Sequence, residues 1–284
     1  MIRPRTYFGI VTECRITLMS LDIPAVLEDG FSRLLTRVAG LLLVAYLVVG
    51  VISTVTAQTL SLAVFDAFRS SLPSDAATTP TTPGMGGNAL ALDVGLPVAI
   101  ALFLAQIVLA QIVGIVGIRT FVSEARRSFP TGVARNLPWV VLNALVAGFI
   151  VNVLIGIGTI LLVIPGIYLA VALYFVQFEV IVEERNAIDA LRTGWELTKG
   201  ERLGVFLLLL VIFAIGIATA VPSIVLGFVG APTVVVVLVS VVVGAVAGVI
   251  GVAIGARAYV QLKPDGWSSP GGGADARFHR APRS

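Results

Sequence analysis

Glu179 and Glu183 stand four residues apart, so on a helix they share a face. Two carboxylates so placed can hold a cation, or divide into an acid and a base for proton transfer. The plainer reading is that they mark the point where an apolar segment reaches water. A second set of polar groups is scattered through apolar sequence: Gln106, Gln111, Asn143, Asn152 and Gln177, with Tyr168 and Tyr174. A solute pathway needs such groups aligned. Asn143 and Asn152 fall half a turn out of phase on a 3.6-residue helix, and Gln106 and Gln111 differ by about 140°. Neither pair makes a stripe. Hydrogen bonds between helices, at about 0.6–2 kcal/mol each, account for these residues as well.

Other chemistry is sparse. One cysteine, Cys14, permits no disulfide within the chain, and one histidine, His279, permits neither a histidine-based triad nor a histidine metal cluster. Phosphate-binding loops, dinucleotide fingerprints and Cys-x-x-Cys pairs do not occur. The expectation is a chain with no catalytic residues, no cofactor and no metal.

The elements that carry these residues are apolar. Of 284 residues, 57% are hydrophobic and 12% charged; ordinary soluble domains carry about 25% charged residues. Mean hydropathy is +1.02. Crossing a hydrocarbon core of about 30 Å takes about 20 mostly apolar residues. Six segments qualify, over 38–60, 95–118, 138–162, 165–182, 204–228 and 233–256. Their length and lack of alternation predict helices rather than barrel strands. Pro165 and Gly166 open the fourth span, with the break from the third placed just before Pro165, because proline is tolerated in a first helical turn. Pro222 is expected to kink or end the fifth. The sixth holds two small-residue pairs, Gly244 with Gly248 and Gly251 with Gly255, which predict a packing face within the bundle or for self-association.

Outside this membrane domain, 21–262, lie an N-terminal extension, 1–20, and a polar tail, 263–284, expected to be disordered. Glu13 and Arg15 argue against a cleavable signal in the extension. The Ser/Thr/Pro/Gly-rich stretch within 61–93 predicts a flexible extracytoplasmic loop. Net charge is +3. The arginines flank apolar runs instead of forming a basic domain, so the balance points to orientation in a membrane and not to nucleic acid. Of the 19 Lys and Arg, all but Arg69 fall on one side of the six spans. The positive-inside rule makes that side cytoplasmic, with both termini inside the cell membrane.

Residues 185–199 predict an interfacial helix. Arg185, Asp189, Arg192, Glu196 and Lys199 line one face, Ile188, Leu191 and Trp195 the other; Asn186 starts it and Gly200 stops it. Trp195 is expected at headgroup level. Residues 24–38 repeat the pattern with a stripe of Leu27, Phe31, Leu34 and Val38. The pairs Gly30-Phe31, Gly132-Val133 and Gly194-Trp195 each precede a span, which predicts three copies of one unit, a surface helix followed by a helical hairpin.

The stretch "IPGIYLAVALYFVQFEVIVEERNAIDALRTGWELTKG", 164–200, resembles a motif of uncharacterised haloarchaeal and bacterial multi-pass membrane proteins related to the membrane domain of glycerophosphodiester phosphodiesterases. "LDIPAVLEDGFSRLL", 21–35, is similar to that family's N-terminal surface helix. The resemblance implies the same membrane architecture. It carries over no catalytic residue, because the soluble phosphodiesterase domain has no counterpart here.

The expectation is therefore an all-α integral membrane protein with six transmembrane helices and amphipathic cytoplasmic interfacial helices. Its partners are the lipid bilayer and a second copy or another membrane protein. Three roles stay open: a non-catalytic structural or lipid-organising protein, a permease for small solutes, and a membrane-embedded lipid enzyme.

Overall fold

The computed structural model describes residues 21–71, 90–123, 129–130, 132–264 and 267. All regular structure among them is helical: α1 (Ile23–Leu34), α2 (Arg37–Ser70), α3 (Leu96–Val122), α4 (Leu137–Leu161), α5 (Val163–Ala172), α6 (Val176–Glu183), α7 (Ala187–Leu197), α8 (Arg202–Phe228) and α9 (Thr233–Leu262). Local chemistry sets the starts. The Asp22, Thr36 and Asn186 side chains accept hydrogen bonds from the third amide of α1, α2 and α7, and Pro24, Pro97 and Pro138 occupy first turns where no donor is lost. Gly200, at φ +102°, stands just after α7, in the conformation that favours glycine at a helix stop. Six helical segments, α2, α3, α4, α5 with α6, α8 and α9, are long and apolar enough to cross a membrane.

Several boundaries differ from the sequence reading. Helix α2 continues to Ser70, so the expected loop, 61–93, begins as helix. No glycine or proline interrupts α2 from Val51 to Ser70, and its 34 residues reach about 51 Å at 1.5 Å each. Beyond it, the Leu90 and Leu92 amides donate to Gln58 and Thr59 of α2 at 2.9 and 3.0 Å. The fourth span is two helices, α5 and α6, separated by a turn at Leu173–Phe175. The break before it falls at Leu162, three residues ahead of Pro165, where the chain is extended. A Cβ at Gly166 would stand 2.8 Å from the Thr159 backbone, so α4 and α5 touch main chain to main chain. Helix α8 runs through Pro222 without ending. The extension 1–20, residues 72–89, Arg126, Arg127 and the tail from 268 lie outside the described residues.

Three hairpins, α2–α3, α4–α5/α6 and α8–α9, are arranged so that α3, α6 and α9 meet. Helix α3 packs on both α6 and α9. Helix α6 meets α9 through Phe178, stacked on Tyr259 with ring centroids 5.5 Å apart, and Phe175 packs on the same ring at 6.0 Å. The helices α2, α4, α6 and α8 join the charged loops at one end of the bundle, and the buried side chains concentrate in that half; Tyr259, Phe175, Ile181, Ile254 and Leu42 are each essentially inaccessible.

Helix α1 lies across α9, and α7 across α6 and α4. Each docks with a glycine at the contact; Leu27, Leu34 and Val38 of one expected stripe and Leu191 and Trp195 of the other do pack inward, whereas Phe31 and Ile188 turn out. The buried residues of α1 are Val26, Gly30 and Arg33, while Phe31 is 47% exposed. Those of α7 are Ala187, Ala190 and Gly194, while Ile188 is 75% exposed. Close approach of helix to helix is the reason. A Cβ at Gly30 would stand 3.3 Å from Ile254 Cγ1, and one at Gly194 would stand 2.8 Å from Val176 Cγ2 and 3.1 Å from its Cα. The unit expected around Gly132 has no surface helix among the described residues; 132–136 form a turn with Gly132 at φ +83°.

Substitution tests this docking. Gly194→Val is expected to cost about 1–3 kcal/mol of stability through overpacking, read by denaturant titration in mixed micelles. Gly216→Ala, with no atom within 4 Å, is expected to be neutral or stabilising.

Candidate functional site: a ring of charge at one end of the bundle

The ends of α3, α6 and α9 read Gly117-Ile118-Arg119-Thr120-Phe121-Val122, Gln177-Phe178-Glu179-Val180-Ile181-Val182 and Gly255-Ala256-Arg257-Ala258-Tyr259-Val260. Each carries one charged residue, in third place, and each of these reaches a neighbouring element. Arg119 Nε donates to the Ile181 carbonyl of α6 at 3.0 Å, and its Nη1 to the Val133 and Arg135 carbonyls at 3.0 and 2.8 Å. Glu179 of α6 accepts at Oε1 from the Tyr259 hydroxyl of α9 at 3.1 Å and from Lys263 Nζ at 2.7 Å. Arg257 of α9 pairs with Asp29 of α1. Asp29 also pairs with Arg33 at 3.4 Å, and Arg33 Nη1 donates to the carbonyl of Ser123, the C-cap of α3, at 2.6 Å. The circuit from α3 to α6 to α9 to α1 closes on α3.

Glu179 was expected at a water boundary; instead its side chain is fully buried. Its second oxygen lies 3.2 Å from Arg185 Nε, an ion pair without hydrogen-bond alignment. Helical spacing put Glu179 on the same face as Glu183, and the two do share a cation, which is Lys263 of the protein itself, 3.2 Å from Glu183 Oε1. Trp267 Nε1 donates to the same Glu183 oxygen at 2.8 Å and its ring meets Tyr259 edge-on. Lys263 and Trp267, both assigned from sequence to a disordered tail, are thus part of the packed end.

Glu184 turns the other way. It receives Arg119 at 3.2 Å, Arg135 at 2.8 Å and Asn136 Nδ2 at 2.6 Å. Glu184 and Asn136 both have positive φ, at 54° and 49°. Left-handed backbone at a residue other than glycine costs of order 1–3 kcal/mol and persists where surroundings over-determine it; here the two strained residues are bonded to each other. Partial burial raises the Glu184 pKa, but the hydrogen bonds from Arg135 and Asn136 and the charges of Arg135 and Arg119 outweigh it and leave it below the ordinary value. Among the described residues no three His, Cys, Asp or Glu are grouped to hold a metal ion.

The polar residues of the spans fall in separate places. Gln106 Nε2 donates to Ser53 Oγ at 2.5 Å, joining α3 to α2. Gln111 donates to Gln177, and Gln177 to the Ala144 carbonyl, at 3.3 and 3.2 Å, joining α3, α6 and α4. Asn143 accepts the Ala187 amide at 3.1 Å and so tethers α7. Among the described residues Asn152 bonds only within its own helix, to Gly148. Only Gln111 and Gln177 are brought together. The glycines of α9 also part company: Gly248 faces Tyr46 of α2, Gly251 is nearest Ile212 of α8, Gly255 sits under Tyr174 and Phe178, and Gly244 has nothing within 4 Å. Trp195 packs edge-on against Tyr168 at 5.9 Å.

Sequence reasoning anchored its repeat on the glycines ahead of the spans and missed Arg119, Arg257 and Lys263. The signal was at the other end of each hairpin, where the Gly-x-Arg-x-(Phe/Tyr)-Val pattern of α3 recurs in α9, with Gln-x-Glu in its place in α6.

Six apolar spans, three of them tied together at one end by ion pairs and hydrogen bonds, define a multi-pass helical membrane protein. Residues 21–262 match the family described as Domain of unknown function (DUF7847), and the chain belongs to that family. No curated protein and no solved structure matches it.

Breaking a buried ion pair by removing one partner costs about 3–5 kcal/mol, so Glu179→Gln is expected to lower stability by about 3 kcal/mol. A double-mutant cycle with Lys263→Met is expected to show coupling of about 1–3 kcal/mol. For Glu184 the sign follows from its depressed pKa. Its stabilisation is complete above the ordinary glutamate value and is lost as pH falls through the lower folded-state value. The stabilities of wild type and Glu184→Gln are therefore expected to converge as pH drops from about 6 to below about 4.

Proposed function

We propose that this chain is a non-catalytic accessory or lipid-organising protein of the cell membrane. Both termini lie in the cytoplasm, and α1 and α7 are amphipathic helices at the cytoplasmic surface. One observation carries the reading: the ionisable groups that a relay or an active site would use are committed to holding helices together. Glu179 faces Tyr259, Lys263 and Arg185, Glu183 faces Lys263 and Trp267, and Glu184 faces Arg119, Arg135 and Asn136. A general acid or base needs a face open to substrate, and these carboxylates are surrounded by the protein's own donors. A permease would need Asn143, Asn152, Gln106 and Gln177 to converge on one cavity, and their bonds run separately to Ala187, Gly148, Ser53 and Ala144.

The orientation rests on the positive-inside rule. The docking of α1 and α7 turns Phe31 and Ile188 outward at the charged end, which supports their interfacial placement. The kinship with the membrane domain of glycerophosphodiester phosphodiesterases, carried by the 164–200 stretch, is part of this proposal and supplies architecture alone.

Reporter fusions and a hydrolysis assay test it. A reporter active only in the cytoplasm is expected to be active when fused after Ser284 and silent when inserted at Ser71. The reverse pattern overturns the orientation. Release of a glycerol phosphate from glycerophosphodiester lipids by the purified protein overturns the non-catalytic reading.

A further inference from the structure

Arg202, the first residue of α8, sits at a junction of α5, α7 and α8. Its guanidinium carbon lies 4.7 Å from the ring centre of Trp195 and 4.9 Å from that of Tyr168. It donates to the Tyr168 hydroxyl through Nη1. A guanidinium has five N–H donors, and Tyr168 is its one hydrogen-bond acceptor among the described residues; Nε, itself buried, has none there. Among the same residues no carboxylate pairs with it. Glu201, next in the chain, accepts from the Leu21 amide, and Glu196 pairs with Arg192. Glu201 also leaves the α8 N-terminus without a side-chain cap.

The surroundings are apolar and face outward. Leu203 is 74% exposed, and Ile188 and Ile164, two turns before Trp195 and one turn before Tyr168 on the same faces, are 75% and 80% exposed. Paired Trp and Tyr rings beside an apolar surface occupy the headgroup level of a bilayer. A guanidinium fixed there between two rings, with Nε buried and Nη1 giving one hydrogen to Tyr168, keeps Nη2 and the second Nη1 hydrogen for phosphate oxygens.

We propose that Arg202, with Trp195 and Tyr168, binds the phosphate of an anionic phospholipid of the cytoplasmic leaflet. The inference deepens the lipid-organising reading and rests on it. The apolar rim takes the acyl chains, the ring pair fixes the depth, and the guanidinium selects a headgroup with net negative charge over a zwitterionic one, whose own cation competes for the phosphate.

The test is thermal unfolding of the purified full-length chain in neutral detergent, with added phosphatidylglycerol, phosphatidylcholine or inorganic phosphate. Phosphatidylglycerol is expected to raise the melting temperature at least twice as much as phosphatidylcholine. Arg202→Gln is expected to abolish that difference, and Arg192→Gln, on the exposed face of α7, to keep it. Equal shifts by the two lipids, a difference that survives in Arg202→Gln, or the full shift with inorganic phosphate alone each overturn the proposal. Should Arg202→Gln not fold, Trp195 fluorescence decides, with Trp139 and Trp267 replaced by Phe. Stronger quenching by phosphatidylglycerol brominated near its headgroup than by the matching phosphatidylcholine sustains the site, and equal quenching sinks it. Failure of the chain to enter nanodiscs would instead overturn the membrane reading itself.

Discussion

Glu179 is a carboxylate with no access to solvent, set where α6 leaves the apolar part of the bundle. A charge removed from water costs several kcal/mol unless it is paired and hydrogen-bonded. Two donors, Tyr259 and Lys263, both of the last hairpin, converge on one oxygen, and Arg185 pairs with the other. The second hairpin therefore settles with its charge satisfied only when the third is in place. Arg119 and Arg257 impose the same condition on the other contacts, one toward the end of α6 and one toward α1. Packing among apolar helices in lipid has no hydrophobic driving force of its own. The charged end supplies the direction and register that apolar side chains do not.

The remainder of the architecture follows from how closely helices approach. Where α7 crosses α6 and α1 crosses α9, a glycine faces the span, while Phe31 and Ile188 turn out and Leu27, Leu34, Leu191 and Trp195 pack inward. The two outward residues depart from an amphipathic helix on a soluble core, whose largest apolar residues face inward. In a bilayer the outside is apolar as well, so bulk can also face lipid, and the backbone contact is made by small residues. The hairpin of α4 and α5 brings backbone to backbone at Gly158 and Gly166, flanked by Leu169 and Thr159.

Much of this was legible in the chain. Hydropathy located six spans because about 20 consecutive apolar residues are too many for a helix that water must cover on one side. Capping by Asn186 and the stop at Gly200 followed from local chemistry alone. The errors share one cause. Hydropathy thins out after residue 60 while helix-compatible sequence carries α2 on to Ser70, and the break at Leu162 and the turn at Leu173–Phe175 lie in apolar sequence where polarity does not change at the boundary. Glu179 was misplaced for a related reason. A lone glutamate near the end of an apolar run reads as a water marker, and its burial depends on Tyr259 and Lys263, 80 and 84 residues away.

By itself the sequence determined the class: an all-helical chain too apolar for water, with its positive charge gathered at one end of six spans. Those are additive properties, sums over residues that hold whatever the neighbours are. Tertiary structure alone decided which face of each surface helix is buried, that Gln111 and Gln177 meet while Gln106 and Asn152 do not, and that the ionisable residues of α3, α6 and α9 close a circuit through α1. Each of these depends on the relative placement of elements far apart in the chain, and in an apolar solvent that placement is set by a few polar contacts and glycine-sized gaps, which leave little trace in local composition.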